Sequence, residues 1–165
     1  LKKKLEDIFK IALKFKFQIA YKFHPKSIFK IDDVIKKFPG LKIKESLESV
    51  MSEALNSEIT VSTSKTGSCL DSIAVGVPVV EYYTYSNGIE DNMQNEFKIN
   101  GKIMSLFKYY RLVKSFDDYH KLNNFFKKFN SIKNYRKKII FNQKKALNKI
   151  AYNKNQVSQK FLKNI

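Results

Sequence analysis

Cysteine occurs once in these 165 residues, at Cys69. One thiol excludes an internal disulfide, and no set of metal ligands surrounds it in sequence. Arginine is almost as scarce: Arg111 and Arg136 are the only two among 32 basic residues. The net charge of +17 therefore rests on lysine, whereas base reading and bidentate phosphate grip favour arginine. No apolar run approaches the roughly 20 residues that a membrane-spanning helix needs. The opening residues, LKKKLEDIFKIALKFKF, are charged throughout, unlike a secretory signal. A Walker Gly-Lys-Ser/Thr loop and a three-glycine dinucleotide fingerprint are both missing.

What is plentiful is lysine, asparagine, isoleucine and the aromatics. Hydrophobic residues make up 43% and aromatics 14%, enough for one domain with a sizeable core and too much for general disorder. The joint abundance of Lys, Asn, Ile, Phe and Tyr is what an AT-rich genome produces without a functional cause. The positive charge is read first as that drift, second as attraction to an anionic membrane surface or substrate, and third as a nucleic-acid footprint. No specific nucleic-acid partner is expected. The chain begins with Leu1 rather than Met, so a fragment lacking an N-terminal partner domain is the expectation.

Periodicity divides the chain into alternating elements. Leu5, Ile8, Phe9, Ala12, Leu13 and Phe15 recur at helical spacing and predict a helix over residues 2–16. FQIAYKF, residues 17–23, reads as a strand that stops at His24-Pro25. IFKIDDVIKKFPG is ambiguous up to the turn at Pro39-Gly40, and LKIKE reads as a short strand. SLESVMSEAL reads as a helix capped by Ser46. Residues 84–104, with two turn-prone Asn-Gly pairs, read as a long loop or lid. FKYYRLV reads as a strand, and SFDDYHKLNNFFKKF as a helix capped by Ser115. One or two helices are expected from Ile132 onward, on the spacing of Ile139, Ile140, Ala146, Leu147 and Ile150. The alternation predicts an α/β fold: a Rossmann-like parallel sheet with helices on both faces, followed by C-terminal helices. Residues 1–165 are expected to form a single domain.

Chemistry concentrates in VSTSKTGSCLDSIAVGVPVVEYY, Val61 to Tyr83. Ser62, Thr63, Ser64, Thr66, Gly67 and Ser68 lie within seven positions. The run EITV before them reads as a buried strand; CLDSIAVG after them reads as a helix closed by Gly76; Pro78 then opens a second apolar run. Ligands of parallel sheets bind beyond the carboxyl ends of strands, often at a helix N-terminus. One hydroxyl suffices to cap a helix, and five surround Gly67, a residue that admits close approach of a ligand. Asp71, one turn into that helix, is a candidate for capping amides or holding a ribose hydroxyl. Glu81 stands in an otherwise apolar strand, facing either a ligand cleft or solvent at a sheet edge. Cys69 falls in the first helical turn, where its thiol is either activated or a small buried side chain. The second motif is YKFHPK. His24 follows a predicted strand and is flanked by Lys22 and Lys26. It either meets an anion there or fills a strand end with its ring satisfied by backbone.

Taken together, KFHPK and SLESVMSEALNSEITVSTSKTGSCLDSIAVGVPVVEYY resemble the C-terminal half of GT-B glycosyltransferases. The similarity is to those that build bacterial surface polysaccharides: capsule, sialyl and Kdo transferases and glycerophosphate polymerases. Non-hydrolysing UDP-N-acetylglucosamine 2-epimerases share the pattern. It covers about residues 17–83, including Ala74-Val75-Gly76-Val77-Pro78-Val79 as the family's A-x-G-x-P-V. The resemblance implies the donor half of a two-domain enzyme that transfers a sugar or polyol phosphate from a nucleotide to a glycan acceptor. It implies that His24 contacts the donor phosphate and is the catalytic residue. It further implies a cradle for phosphates or sugar made by Ser62, Thr63, Ser64, Thr66, Gly67 and Ser68, with Asp71 near a ribose-binding position; Lys22 and Lys26 beside His24, and Glu81 in its strand, are added as substrate-binding candidates from their positions. No Asp-x-Asp appears, so no metal and no cofactor are expected, with Lys22 or Lys26 supplying the positive charge. The expected location is cytoplasmic and peripheral at the inner face of the membrane. Two rival readings stay open: a nucleotide-sugar 2-epimerase, whose usual Glu pair is absent, and a basic non-enzymatic binding module. The latter needs aromatics interleaved with lysine on an exposed face, whereas most aromatics here fall at core spacing.

Overall fold

The computed structural model describes residues 2–22, 30–63, 67–84, 96–99 and 101–162. Helix α1 (Lys2–Phe15) carries apolar residues on two faces. Leu5, Phe9 and Ala12 enter one cluster with Val34, Phe38 and Leu41. Ile8, Ile11 and Phe15 enter another with Leu122, Phe125 and Phe126. The first cluster sits beside a small parallel sheet of β1 (Ile19–Tyr21) and β2 (Ile43–Glu45). Helix α2 (Ile31–Lys37) lies between them in sequence, as a parallel pair requires a crossover.

Helix α3 (Val50–Leu55) leads into the second sheet, β3 (Thr60–Ser62), β4 (Val79–Tyr82) and β7 (Lys114–Phe116), parallel and in the order β3-β4-β7. Helix α4 (Ser68–Ala74) joins β3 to β4, and Gly76 closes it at φ 85°, a conformation that side chains resist. Between β4 and β7 comes an antiparallel hairpin, β5 (Glu96–Ile99) and β6 (Lys102–Ser105), and then the single turn α5 (Leu106–Tyr109). Helices α6 (Tyr119–Ser131) and α7 (Tyr135–Leu162) complete the chain. The protein is thus mixed α/β with two short parallel sheets among its described residues.

Strand β4 is buried at all four positions. Side chains alternate along it. Val80 and Tyr82 pack with Ile11, Leu122, Phe125 and Phe126. Val79 packs on the opposite side with Cys69, Ile73, Phe107 and Val113, against which Ala146, Leu147 and Ile150 of α7 rest. Such a strand has no water for its backbone. The Thr60 amide donates to the Pro78 carbonyl, so Val79 turns its own amide and carbonyl away from β3. On that other side β7 begins pairing only at Val80. The buried amide of Gln143 takes the vacant place: the Val79 amide donates to Gln143 Oε1 at 3.0 Å, and Gln143 Nε2 donates to the Val79 carbonyl at 2.7 Å. A side chain of α7 thereby acts as one more rung of the sheet.

Five expectations need correction. Among the described residues the parallel strands form two sheets rather than one. Glu96–Ile99 and Lys102–Ser105 pair as an antiparallel hairpin, with Gly101 at φ 77°, rather than belonging to a loop. The apolar run FKYYRLV is the turn α5, capped by Ser105, and the strand follows it; its bulky residues anchor an irregular segment through Phe107, Leu112 and Val113. The cap of α3 is Ser49, whose hydroxyl accepts from the Ser52 amide, while Ser46 donates to Glu53 at 2.6 Å. The cap of α6 is Asp118, accepting from the His120 and Lys121 amides, and Ser115 lies in β7.

Gln143→Ala removes both partners of the Val79 backbone. Two buried groups left unsatisfied cost about 2–5 kcal/mol together, so the urea midpoint should fall steeply. Lys145→Ala, two positions along α7 and exposed, should leave it within error.

Candidate functional site

The polar turn begins where β3 ends. Ser62 is the last residue of β3 and stands in register with Glu81 of β4, which stands in register with Ser115 of β7. Residues in register on parallel strands share a face, so Ser62, Glu81 and Ser115 form a polar row across the sheet. Val79, two residues before Glu81, packs on Cys69, which puts the row on the face covered by α4. Ser62 is buried and hydrogen-bonded to the Cys69 thiol. Glu81 has no exposed surface and accepts from Ser105 Oγ at 3.2 Å. The same Ser105 oxygen accepts from the Lys108 amide, so one hydroxyl joins the carboxylate to the start of α5. Nearby, Thr60 Oγ1 donates to Ser72 Oγ at 3.0 Å, and Ser72 donates back to the Ser68 carbonyl.

The outer part of the turn differs. Gly67 is exposed and starts α4 with φ −58°, and a side chain built there meets nothing within 4 Å. Having no side chain, it gives α4 no cap of the kind that Ser49, Ser105 and Asp118 give their helices. Thr63, Ser68 and Asp71 are half-buried. Lys22, just past β1, is exposed and donates to the Glu48 carbonyl ahead of α3.

The opposite face holds a second polar group at the strand ends. Tyr82 is buried, and its hydroxyl donates to Asp7 Oδ2 of α1 at 2.7 Å. Burial first, then the Asp7 carboxylate, raises this phenol above its ordinary range. The Lys4 ammonium lies 4.0 Å from the Tyr82 ring centroid and donates to the Asp117 carbonyl. Burial lowers its pKa, against the opposing pull of Asp117 and Asp7.

The structure therefore sorts the sequence-derived candidates. It joins Ser62 and Glu81 in the buried row, where the solvent-edge reading of Glu81 fails because β4 is the central strand. It leaves Thr63, Gly67, Ser68 and Asp71 on the accessible side of the same turn. His24, Lys26, Ser64 and Thr66 lie outside the described residues. Sequence reasoning missed Ser72, Ser105, Asp7 and Gln143. Only Gln143 left a trace, a polar residue on the apolar stripe between Ile139 and Ile150. Among the described residues no group of three or more His, Cys, Asp or Glu is placed to hold a metal ion. No helix among them is long and apolar enough to cross a membrane. The fold and site define a mixed α/β protein with a polar turn beyond a parallel strand. No family model matches the chain, and comparisons with the curated proteins and with solved structures return no match.

Cys69 is 1% exposed, and burial, the largest cause, pushes its thiol up from 9.0 to about 11. It is a packed core residue, not an activated nucleophile. Below pH 9 both folded and unfolded chains keep the proton, and stability is unaffected. Between pH 9 and about 11 the unfolded chain ionises first, so stability falls as pH rises. Two pKa units correspond to about 3 kcal/mol. Denaturant titrations across this window should show a shallower alkaline loss for Cys69→Ala than for the wild type. Parallel slopes would deny the thiol its raised pKa.

Proposed function

We propose that this chain is the donor-binding domain of a GT-B glycosyltransferase of surface-polysaccharide biosynthesis, Rossmann-like and acting in the cytoplasm. The observation that carries the reading is the unit β3–turn–α4–β4. Thr63, Gly67 and Ser68 sit beyond the carboxyl end of a parallel strand, with open space over Gly67, the position at which parallel α/β proteins take anionic ligands. The donor would lay its phosphates along this outer rim, where backbone amides and the Thr63 and Ser68 hydroxyls can reach them. The buried row of Ser62 and Glu81 would act beneath the rim by holding the turn in place rather than by touching the donor. His24 is assigned here by resemblance, as the group that stabilises the departing nucleotide phosphate, and Lys26 by its place beside His24 in sequence. The acceptor is a glycan, contacted mainly by a partner domain.

A melting-temperature screen of the full chain against CMP, CDP, UDP and GDP tests the proposal. One nucleotide at a hundredfold excess over its Kd adds about 2.7 kcal/mol, or about 5–10 °C in a protein of this size. Gly67→Val should keep the ligand-free melting temperature, because its φ is ordinary and its surroundings are empty, while losing most of the ligand-induced rise. No rise with any nucleotide, or an equal rise in Gly67→Val, would overturn the reading.

A further inference from the structure

Helix α7 carries eight Lys or Arg and no Asp or Glu over Tyr135–Leu162. Its inner face is set by Ile139, Gln143 and Ile150, which are buried or half-buried. At 100° per residue, Phe141 lies about 160° around the helix from both Ile139 and Gln143. It is 67% exposed, so it belongs to no core. Its neighbours on the helix surface are the residues three and four positions away. All four, Lys137, Lys138, Lys144 and Lys145, are exposed lysines. The ion pairs of the described residues use none of them. The Lys144 side chain turns back over Gly76 at the end of α4, which leaves an exposed phenyl ring with Lys137, Lys138 and Lys145 as neighbours on a helix without one carboxylate.

We propose that this outward face of α7 docks on an anionic lipid surface. The ring enters the headgroup layer while Lys137, Lys138 and Lys145 reach lipid phosphates, their alkyl stems lying along the apolar boundary. Charge selects the occupant: each lysine near an anionic bilayer favours binding about fivefold, and no acidic side chain of α7 opposes it. Shape selects it too. The face is the convex side of one helix and can press into a planar layer, whereas single-stranded nucleic acid takes a groove lined with several stacking rings, and the lysines lack the fork that arginine offers to phosphate or base. One ring and three lysines make a reversible anchor. The inference stands on α7 alone and does not depend on donor binding at the β3–α4 turn.

The chain contains no tryptophan, so Phe141→Trp installs a single fluorescent reporter at the centre of the face. With the full chain and vesicles of phosphatidylcholine and phosphatidylglycerol at 7:3, its emission should move to the blue and be quenched by brominated lipid. With pure phosphatidylcholine vesicles, or with a 20-base-pair DNA duplex or a 20-nucleotide RNA, it should not move. Lys137→Gln with Lys145→Gln should lower sedimentation with the anionic vesicles about 25-fold, with an unchanged urea midpoint. Equal binding to neutral vesicles, unmoved emission in protein that sediments, or tighter binding to the duplex or RNA at 150 mM salt would each overturn the proposal.

Discussion

Strand β4 has no face and no edge in water, and the rest of the structure follows from satisfying it. A buried polar group without a partner costs on the order of 1–3 kcal/mol, and β4 brings several. Their partners come from far along the chain: Gln143 for the Val79 backbone, Asp7 for the Tyr82 hydroxyl, Ser105 for the Glu81 carboxylate. These contacts span separations of 64, 75 and 24 residues. Helices α1 and α7 are thus tied to the centre of the sheet by hydrogen bonds as well as by apolar packing. A slip of β4 by one residue would bury Tyr82 and Glu81 on each other's faces and leave all three partners wrongly placed. Polar contacts therefore fix the register, while apolar contacts supply most of the driving force.

The same strand explains which parts of the structure were legible in the sequence. Helix α1, β2, β3, α4 and β4 could be read because local periodicity and turn residues agree with the tertiary environment. Gly76 closes α4 where the pattern stops. The errors lie where local signals compete. Ser46 and Ser49 stand three apart ahead of one helix, and Ser46 is drawn away from capping by its hydroxyl's bond to Glu53 of that helix and its amide's bond to the Tyr21 carbonyl of β1. The run from Phe107 to Val113 is apolar enough for a strand, but Ser105 starts a helical turn there because its hydroxyl is held by Glu81. The division into two sheets had no local signature, since strand pairing depends on contacts distant in sequence.

At the candidate site, sequence reading found the segment but not the direction of its side chains. Five hydroxyls near a glycine look alike in one dimension. In the fold they divide by depth. Ser62 turns inward to Cys69 and belongs to the architecture, whereas Thr63 and Ser68 stay within reach of solvent. Glu81 is the sharper case. A carboxylate in an apolar strand is open to a ligand cleft or a solvent edge; Glu81 is fully buried and meets Ser105, which excludes the edge. The activated-thiol reading of Cys69 fails for the same reason: burial raises its pKa by more than the Ser62 hydrogen bond lowers it, and no cation lies among the causes. The arrangement that remains is a rigid buried row beneath an accessible rim.

A two-dimensional amide NMR titration with CDP, UDP or GDP addresses that arrangement most directly, because it reads rim and row in one experiment. The account predicts that one nucleotide moves the amide signals of Thr63, Gly67, Ser68 and Asp71 in a saturable way, and leaves those of Val79, Val80 and Glu81 nearly in place. Saturable shifts centred elsewhere on the protein, or none at the rim with any of the three nucleotides, would contradict it.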